Sequence, residues 1–349
     1  MSTFSQSETA ALLACPMRWA FAYGDVAGFP LRAKAPALRL REGKAWGAAW
    51  ASFHAAVPDS LESAGARAGS AMIAQLDLDA AAMEREGMFD PEEYDEARER
   101  LVGALAHYAS TATRLNLIGA EVEIDLPHAD GWVYRCHIDG VHQDEEGYLW
   151  VAECKWRPGG KFTSLAEIVL WRQVRWYAIA LAEGIIQNAE AGPLWNREVA
   201  GIRGVIVDER LGDAPNPVRY NKNGDVSATQ SCTLEQYMNA CAAQQQVPHP
   251  PTIERLGQKV WQQRHEVVFR ADELDDALHE LESAATLVTL YQRKTLRPLR
   301  VPGRQCATCQ FLDICPTPND SRLRDSLYIP ATEHQGDHRA EPAAAPQPS

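Results

Sequence analysis

The sequence predicts one α/β domain in which a mixed central sheet is flanked by helices. Helical periodicity occupies most of residues 5–115, and strand-like alternation follows from 120 to 155. A long amphipathic segment at 164–184 then separates those strands from another at 201–209. A strand, a crossing helix and a second strand in succession are typical of a sheet with a helix packed on it. With 46% hydrophobic residues among 349, the chain can form a sizeable core.

The N-terminal third is predicted to be helical, and its last two helices form an insertion at about 57–118. Two further helices are predicted near the C-terminus. The Ala/Pro-rich residues 332–349 are expected to be disordered, so that residues 1–331 form the domain. The predicted helices on either side of the central region cover residues 5–23, 40–56, part of 60–83, 91–115, 233–245 and 271–292.

Three strands are predicted in the middle of the chain, at 120–127, 132–141 and 148–155. The polar residues HQDEEG join the last two and predict an antiparallel hairpin. Simple alternation along the second strand places Ile138 on an apolar face and Asp139 on the opposite face. The hairpin brings Asp139 back towards the end of the third strand.

The segment at 164–184 is the clearest helix in the sequence. Ser164 and Glu167 have the spacing of a capping box, which starts a helix, and Gly184 is a residue type that ends one. The sequence therefore predicts a single uninterrupted helix after the hairpin.

The formal net charge of −13 predicts no general basic surface of the kind that nucleic-acid-binding proteins carry. Basic residues nevertheless gather at 156–161, 171–175 and 293–304, so a basic groove on an acidic body is compatible with the sequence. No apolar run reaches the roughly 18 residues of a membrane span, and the N-terminus lacks signal-peptide features, so we expect a cytoplasmic protein. In that compartment the eight cysteines are free thiols or metal ligands.

Two charged residues interrupt the apolar strand at 148–155. Glu153 and Lys155 are two residues apart, so both point to one side of a pleated strand, where a buried charge needs a partner or a metal. Asp139 approaches them through the hairpin. Two carboxylates bind Mg²⁺ or Mn²⁺ and leave positions for water and a phosphate, and a nearby lysine orients or deprotonates the water or stabilises the transition state. The alternative is a partly exposed Glu–Lys pair at a strand end.

A polar–aromatic pair on the long helix supports the same interpretation. Gln173 and Tyr177 lie four residues apart, so they share one helix face. The pair suits the positioning of a phosphate or a base beside the metal. The alternative is an ordinary polar–aromatic pair without a ligand.

The cysteines near the C-terminus have the spacing of metal ligands. Cys306, Cys309 and Cys315 follow the pattern C-x₂-C-x₅-C. Three thiolates need a fourth ligand to complete a zinc site or an iron–sulfur cluster, and Cys15 is the candidate. Such a site would clamp the two ends of the domain together. The remaining cysteines lack this spacing and are predicted to be buried or incidental: Cys136, Cys154, Cys232 and Cys241.

In this order, across residues 15–315, the motifs resemble those of the PD-(D/E)XK nuclease superfamily, in its RecB-like exonuclease branch with a C-terminal iron–sulfur cluster. That branch includes phage-encoded and CRISPR-associated proteins. The resemblance implies a restriction-endonuclease-like core, Mg²⁺ or Mn²⁺ at the active site, and a [4Fe–4S] cluster in a Cys-rich C-terminal clasp, with zinc as the alternative. The matching catalytic positions are Asp139, Glu153, Lys155, Gln173 and Tyr177, and the matching cluster positions are Cys15, Cys306, Cys309 and Cys315.

One position departs from the pattern of that family. Its members often carry a metal-ligating histidine early on a helix, in a pattern like G-x-x-x-H, whereas this chain has Gly43 followed by Gly47. His54 lies two turns further along on about the same face and is the expected replacement, with a packing histidine as the alternative. Glu121 and Glu123, on the strand before the hairpin, are weaker candidates for an accessory acid.

The resulting hypothesis is a DNA exonuclease. Asp139, Glu153 and the backbone carbonyl of Cys154 are expected to bind the cation, and Lys155 to assist the attack of water on a phosphodiester. The resemblance implies single-stranded or end-containing DNA, in recombination, repair or phage DNA processing. The alternative is a non-catalytic DNA-binding or scaffold protein with a weakened metal site. The residues expected to hold the DNA strand are Gln173, Tyr177, Lys161, Arg172 and Arg175.

Overall fold

The computed structural model describes most of the chain. The tail at 332–349 that the sequence predicts to be disordered lies outside the described residues. Among the described residues, no helix combines the length and the apolar composition that a membrane crossing requires. The structure describes residues 2–24, 26, 29–34, 38–55, 60–157, 161–187, 200–212 and 218–331.

The strands form two sheets. In chain order they are β1 (Ser2–Ser5), β2 (Leu31–Ala33), β3 (Leu117–Pro127), β4 (Trp132–Gln143), β5 (Tyr148–Arg157), β6 (Ile185–Ile186), β7 (Gly201–Leu211), β8 (Gln262–Val268) and β9 (Tyr328–Pro330). The central sheet has seven strands in the order β6-β3-β4-β5-β7-β8, with β1 beside β4. The β1–β4 and β5–β7 pairs are parallel and the others antiparallel, so the sheet is mixed, as predicted. β2 and β9 pair separately.

Helices cover both faces of the central sheet. In chain order they are α1 (Gln6–Ala14), α2 (Pro16–Ala22), α3 (Leu38–His54), α4 (Leu61–Arg85), α5 (Pro91–Thr111), α6 (Leu165–Val169), α7 (Arg172–Glu183), α8 (Leu234–Ala243), α9 (Pro250–Gly257), α10 (Ala271–Gln292) and α11 (Ser321–Leu327). α3, backed by α4 and α5, packs on one face, and α7, backed by α10 and α1, packs on the other. This arrangement confirms the predicted fold of a mixed sheet flanked by helices.

The strands β4 and β5 separate at the end of their hairpin. β5 pairs with β4 only through residues 140–143, whereas β1 pairs with the same edge of β4 through 132–135. Residues 136–139 of β4 pair with neither strand on that edge. Beyond Ala152, β5 continues beside β7 alone. The separation opens a cleft between β1 and the end of β5.

Asp139 and Ile138 do not follow the simple alternation that the sequence predicts. Ile138 packs in the core on the α7 side. A Cβ added to Gly140 would lie 2.9 Å from Leu117 and 3.3 Å from Trp50, so Gly140 faces α3. Successive residues of a strand face opposite sides, so Asp139, which precedes Gly140, faces α7. Asp139 and Ile138 therefore face the same side of the sheet. The irregularity coincides with Glu121 of the neighbouring strand, whose φ is +51°.

Two predicted helices are interrupted. The helix predicted at 5–23 breaks at Cys15, which is extended because Pro16 disfavours a helical residue before it. The helix predicted at 164–184 breaks after α6, and Trp171 is the extended residue that precedes α7. The capping box of Ser164 is confirmed.

The N-terminal region packs against the last described part of the chain. A small hydrophobic core joins α2 and β2 to the segment that follows the 3₁₀ helix Arg304–Thr308. Pairing of β2 with β9 adds a second connection between these two parts. We call this region the clasp. Its buried core residues are Phe21, Leu31, Phe311, Ile314 and Tyr328.

Candidate active site

Glu153, Lys155 and Gln173 form a hydrogen-bonded cluster where β5 leaves β4. Glu153 is only 2% exposed, and its Oε1 accepts hydrogen bonds from Lys155 Nζ and, at 2.8 Å, from Gln173 Nε2. Lys155 Nζ also donates to Gln173 Oε1 at 3.2 Å. Strand alternation turns the two charged side chains to the α7 side, where the first turn of α7 supplies Gln173. The structure thus brings together three residues that the sequence singled out.

Asp139 lies beside this cluster and is 9% exposed. Its Oδ2 accepts a hydrogen bond from the Cys154 backbone amide at 2.9 Å. The side chain therefore replaces the backbone partner that β5 loses when β4 separates from it. The negative charge of Asp139 acts on both Lys155 and Tyr177. The two predicted metal-binding carboxylates consequently face the same cleft.

The neighbours of Lys155 fix its ionisation. Burial would lower the pKa of Lys155, but the charges of Glu153 and Asp139 and the hydrogen bond to Glu153 raise the pKa above its ordinary value. Lys155 is therefore a cation at neutral pH. In this state it balances the carboxylates and can hold a phosphate oxygen.

Tyr177 adds a hydroxyl group one helical turn after Gln173. Gln173 Nε2 donates to Tyr177 Oη at 3.1 Å. Burial, followed by the charge of Glu153, raises the pKa of Tyr177 well above its ordinary value. The hydroxyl is therefore protonated over the whole neutral pH range and keeps the character of an uncharged donor.

The donor set fits a hard divalent cation. Mg²⁺ and Mn²⁺ prefer carboxylate oxygens and retain positions for water and substrate phosphate, so one or two protein carboxylates suffice. Asp139 and Glu153 supply two. Within the described part of the chain, no group of three or more His, Cys, Asp or Glu side chains is arranged to hold one metal ion. The residues that would hold Mg²⁺ or Mn²⁺ are these two carboxylates, with the Cys154 carbonyl as the predicted backbone ligand.

The structure does not bring His54 to these carboxylates. His54 is fully buried at the end of α3, which covers the opposite face of the sheet. Its Nδ1 accepts a hydrogen bond from the Leu115 amide at 2.9 Å, and its Nε2 is hydrogen-bonded to Tyr108 Oη at 2.7 Å. Burial lowers the pKa of His54, so the ring is neutral at pH 7. Because both ring nitrogens are engaged there, His54 has the contacts of a packing histidine.

A buried acid that sequence reasoning missed anchors this second network. Asp208 lies on β7 opposite Cys154 and is 3% exposed. Burial would raise the pKa of Asp208, but the polar contact with His54 Nε2, 3.7 Å away, the charge of Arg264 and the hydrogen bond from Tyr108 hold the pKa well below its ordinary value. Its Oδ2 accepts hydrogen bonds from Tyr108 Oη at 2.6 Å, Arg264 Nη2 at 2.6 Å and Trp50 Nε1 at 3.1 Å.

Glu209, the next residue of β7, was missed in the same way. It is fully buried and accepts hydrogen bonds from Arg157 Nε at 2.6 Å and from the Thr163 amide at 2.8 Å. The signal in the sequence was two acids in the apolar run VIVDER, which is the same kind of pattern that singled out Glu153. Glu209 holds Arg157 in place near the end of β5.

The basic residues predicted to hold DNA differ in their exposure. The Arg175 side chain is 13% exposed and lies 3.4 Å from Glu280 of α10. The Arg172 side chain is 54% exposed and lies 3.9 Å from the same carboxylate. Lys161 is exposed. Arg172 and Lys161 therefore reach solvent, whereas Arg175 is largely covered.

The two weaker candidates for an accessory acid lie on β3. Glu123 forms an ion pair with Arg135 of β4 at 3.2 Å. Glu121 occupies the irregular position of β3 described above, with φ at +51°. Both remain predictions as accessory acids.

The cysteines fall into two groups that differ in burial. Cys136, Cys154, Cys232 and Cys241 are buried, which confirms the prediction for these four. The four cluster candidates are free thiols of intermediate exposure: Cys15, Cys306, Cys309 and Cys315.

Residues 299–300 contact both Cys15, the N-terminal cluster candidate, and Cys315, one of the C-terminal candidates. The Leu299 carbonyl lies 3.9 Å from Cys15 Sγ. Arg300 Nη2 donates to the Cys315 carbonyl at 2.9 Å. Cys309 and Cys315 pack against the clasp core. The fold therefore brings the two ends of the predicted cluster site to one region.

No curated protein matches the chain with significance. The sequence profile of the PD-(D/E)XK nuclease superfamily matches residues 3–316. The match includes the separated hairpin with Asp139 and Glu153, the helix α7 that follows it, and the clasp as far as Ile314. By the extent of this match and the layered α/β fold, the chain belongs to the PD-(D/E)XK nuclease superfamily.

Proposed function

We propose that the protein is a divalent-metal-dependent DNA exonuclease that acts on single-stranded or end-containing DNA. The observation that carries the proposal is the meeting of Asp139, Glu153 and Lys155 in one cleft on the α7 side of the sheet. Enzymes of the superfamily typically use Mg²⁺ or Mn²⁺ for phosphodiester hydrolysis. Recombination, repair and phage DNA processing are the processes to which such an activity belongs.

The residues of the cleft divide the chemistry between them. Asp139 and Glu153 would hold the cation, which supplies an activated water and neutralises charge on the phosphate. Lys155, a cation at neutral pH, stabilises the negative charge that grows on the phosphate in the transition state. Gln173 orients Glu153 and Lys155 through its amide group, and Tyr177 holds Gln173.

The test is degradation of end-labelled linear DNA by purified protein. Single-stranded, blunt and tailed substrates are compared with closed circles, in Mg²⁺, Mn²⁺ or EDTA. We expect linear DNA to be lost only with a divalent metal and closed circles to survive. Glu153→Gln should abolish degradation and Lys155→Ala should lower it roughly 10²- to 10³-fold, whereas Glu266→Gln, at an exposed position of β8, should leave it unchanged. Cleavage of closed circles would contradict the exonuclease assignment, and equal activity in Lys155→Ala would remove Lys155 from the mechanism.

The alternative function is a non-catalytic DNA-binding or scaffold protein. The observation that favours it is the position of His54, which the structure ties to Leu115 and Tyr108 and not to the metal-binding carboxylates. Under this alternative the protein binds DNA equally well in Mg²⁺ and in EDTA and degrades none of the substrates above.

We also propose that the clasp binds a [4Fe–4S] cluster, with zinc as the alternative. Cys15, Cys306, Cys309 and Cys315 are free thiols of intermediate exposure, and residues 299–300 contact both Cys15 and Cys315. A single zinc ion requires its sulfur ligands to converge at about 2.3 Å on one point. A four-iron cluster instead distributes its four cysteines over separate irons. The support for the cluster is the C-x₂-C-x₅-C spacing of the three C-terminal cysteines and the resemblance to the iron–sulfur branch of the superfamily.

A further inference from the structure

A groove of about 700 Å³ lies beside the active-site cluster. α1 forms one wall, and the end of β5 together with the start of α7 forms the other. Lys155 and Gln173, which both donate hydrogen bonds to Glu153, line it, and Leu13 and Ala14 line the α1 wall. A chain molecule in this groove would therefore lie beside the active-site cluster.

The groove is basic on a protein whose formal net charge is −13. Lys155, Arg157 and Arg172 line it, each within ion-pair distance of a carboxylate that is not among its lining residues, and among its described lining residues none is acidic. The adjoining hollow over α10 shares Arg172 with the groove and is also lined by Asp276, His279 and Glu280. Carboxylates thus line the hollow but not the groove, which makes the groove the more favourable path for phosphate groups.

Trp171 lies in the wall of the groove at the break between α6 and α7. The Arg157 guanidinium carbon is 5.2 Å, and Lys155 Nζ is 6.0 Å, from the centre of its ring system. Leu170 beside it is 72% exposed. An aromatic ring among cations is the combination with which proteins bind single-stranded nucleic acids, because bases stack on the ring and the cations hold the phosphates.

We propose that this groove binds the unpaired bases of a DNA strand, with Trp171 as the stacking surface and Arg157 and Arg172 at the phosphates. The proposal rests on the proposed nuclease function and names the substrate feature that the enzyme reads. In a duplex the faces of each base are already stacked on its neighbours, so Trp171 favours single-stranded ends. Glu209 holds Arg157 in a fixed position, whereas the more exposed Arg172 can follow the strand.

Binding without cleavage tests the groove separately from the chemistry. Fluorescence anisotropy in EDTA compares a short labelled oligothymidylate, an abasic strand of the same length and a duplex. We expect Trp171→Ala to weaken oligothymidylate binding roughly tenfold, as loss of one stacked base predicts. Abasic-strand and duplex binding should not change in this variant. Trp171→Phe should retain most of the affinity for oligothymidylate, and Leu165→Ala, at an exposed position of α6 outside the groove, should retain all of it.

The possible outcomes of this experiment distinguish the groove proposal from the proposed nuclease function. Unchanged oligothymidylate binding in Trp171→Ala overturns the groove proposal and leaves the nuclease function standing if the wild type degrades DNA. Equal losses on the oligothymidylate and abasic strands also overturn it, because Trp171 would then support only the fold. If the wild type shows the expected stacking preference but degrades no DNA with Mn²⁺, the groove is supported and the nuclease function fails.

Discussion

The Lys155 ammonium group lies beside the carboxylates of Glu153 and Asp139, and these two negative charges determine its chemical role. Because the charges of Glu153 and Asp139 raise its pKa, Lys155 is a positive charge beside the two carboxylates. The same contact compensates two acids whose burial without a partner would cost several kcal/mol each. A single side chain therefore supports both the stability of the cleft and the proposed chemistry.

We expect Lys155→Ala to lower nuclease activity by roughly 10²- to 10³-fold, the usual effect of removing one group that stabilises transition-state charge. Without metal, the variant should also unfold more easily, because Glu153 remains buried without its cation. Mn²⁺ should then stabilise the variant more than the wild type, since the metal supplies the missing positive charge. Thermal unfolding with and without Mn²⁺ measures this difference.

Glu153→Gln is the matched control for that measurement, because it removes a metal ligand and leaves Lys155 in place. We expect it to lose most of the Mn²⁺-dependent rise in unfolding temperature. If Mn²⁺ stabilised Lys155→Ala and the wild type equally, the metal would not bind where Lys155 acts.

At the level of single residues, the sequence predicted the active-site cluster better than its surroundings. Glu153 and Lys155 had to share a side, because strand alternation has a period of two. Asp139 reached that side only through a local irregularity at Glu121, which no periodic rule contains. The position of His54 was harder to predict. The sequence shows which face of α3 carries His54, but it does not show which side of the sheet α3 covers.

Among the secondary-structure elements, the prediction and the structure differ at the breaks between helices and at an edge strand of the sheet. The break before α2 was readable, because Pro16 restricts the residue before it. The break between α6 and α7 was not, since RQVRWYAIALAE continues the helical pattern without a proline or glycine. β8 was missed because its sequence, QQRHEVV, is mostly polar, as is usual for a strand at the edge of a sheet.

Asp208 ties four elements together and makes their packing depend on pH. It accepts hydrogen bonds from side chains of α3, α5 and β8 while lying on β7. Its folded-state pKa is held below the ordinary value of 3.8, so its contribution to stability is present above that pH and is lost as the pH falls below it. The folded-state pKa of His54 lies below 6.5, so acidification protonates the unfolded chain first and stability declines from that pH downward.

We therefore expect the free energy of unfolding to fall in two stages on acidification, first below about pH 6.5 and again below about pH 4. Asp208→Ala should cost about 3–5 kcal/mol at neutral pH, because it leaves Arg264 without its buried partner. Urea unfolding at several pH values measures both effects. Asp272→Ala, in an exposed pair with Arg270, is the control and should change the free energy of unfolding by less than about 1 kcal/mol.

In the whole molecule, the clasp joins the first and last described parts of a chain that folds around one sheet. Its hydrophobic core is small, and β2 and β9 have three residues each, too few for a periodic pattern to predict. The C-x₂-C-x₅-C spacing is readable from the sequence because it does not depend on the elements around it, and the role of these cysteines as ligands stays a prediction. A bound cluster would add a covalent constraint between α2 and the C-terminal segment. That constraint acts where few apolar contacts are available.

Removal of the metal from the clasp therefore tests the stability of the whole fold. Protein purified without oxygen should be brown and contain iron, and Cys15→Ser and Cys306→Ser should each lose the visible absorption and unfold at lower temperature. The double variant should lose no more than either single one, because both changes remove the same cluster. Cys241→Ala, at a buried cysteine outside the clasp, should keep the colour. A colourless protein that contains zinc would replace the iron–sulfur cluster with the alternative metal, and unchanged stability in Cys15→Ser would show that the cysteine of the N-terminal segment is not a ligand.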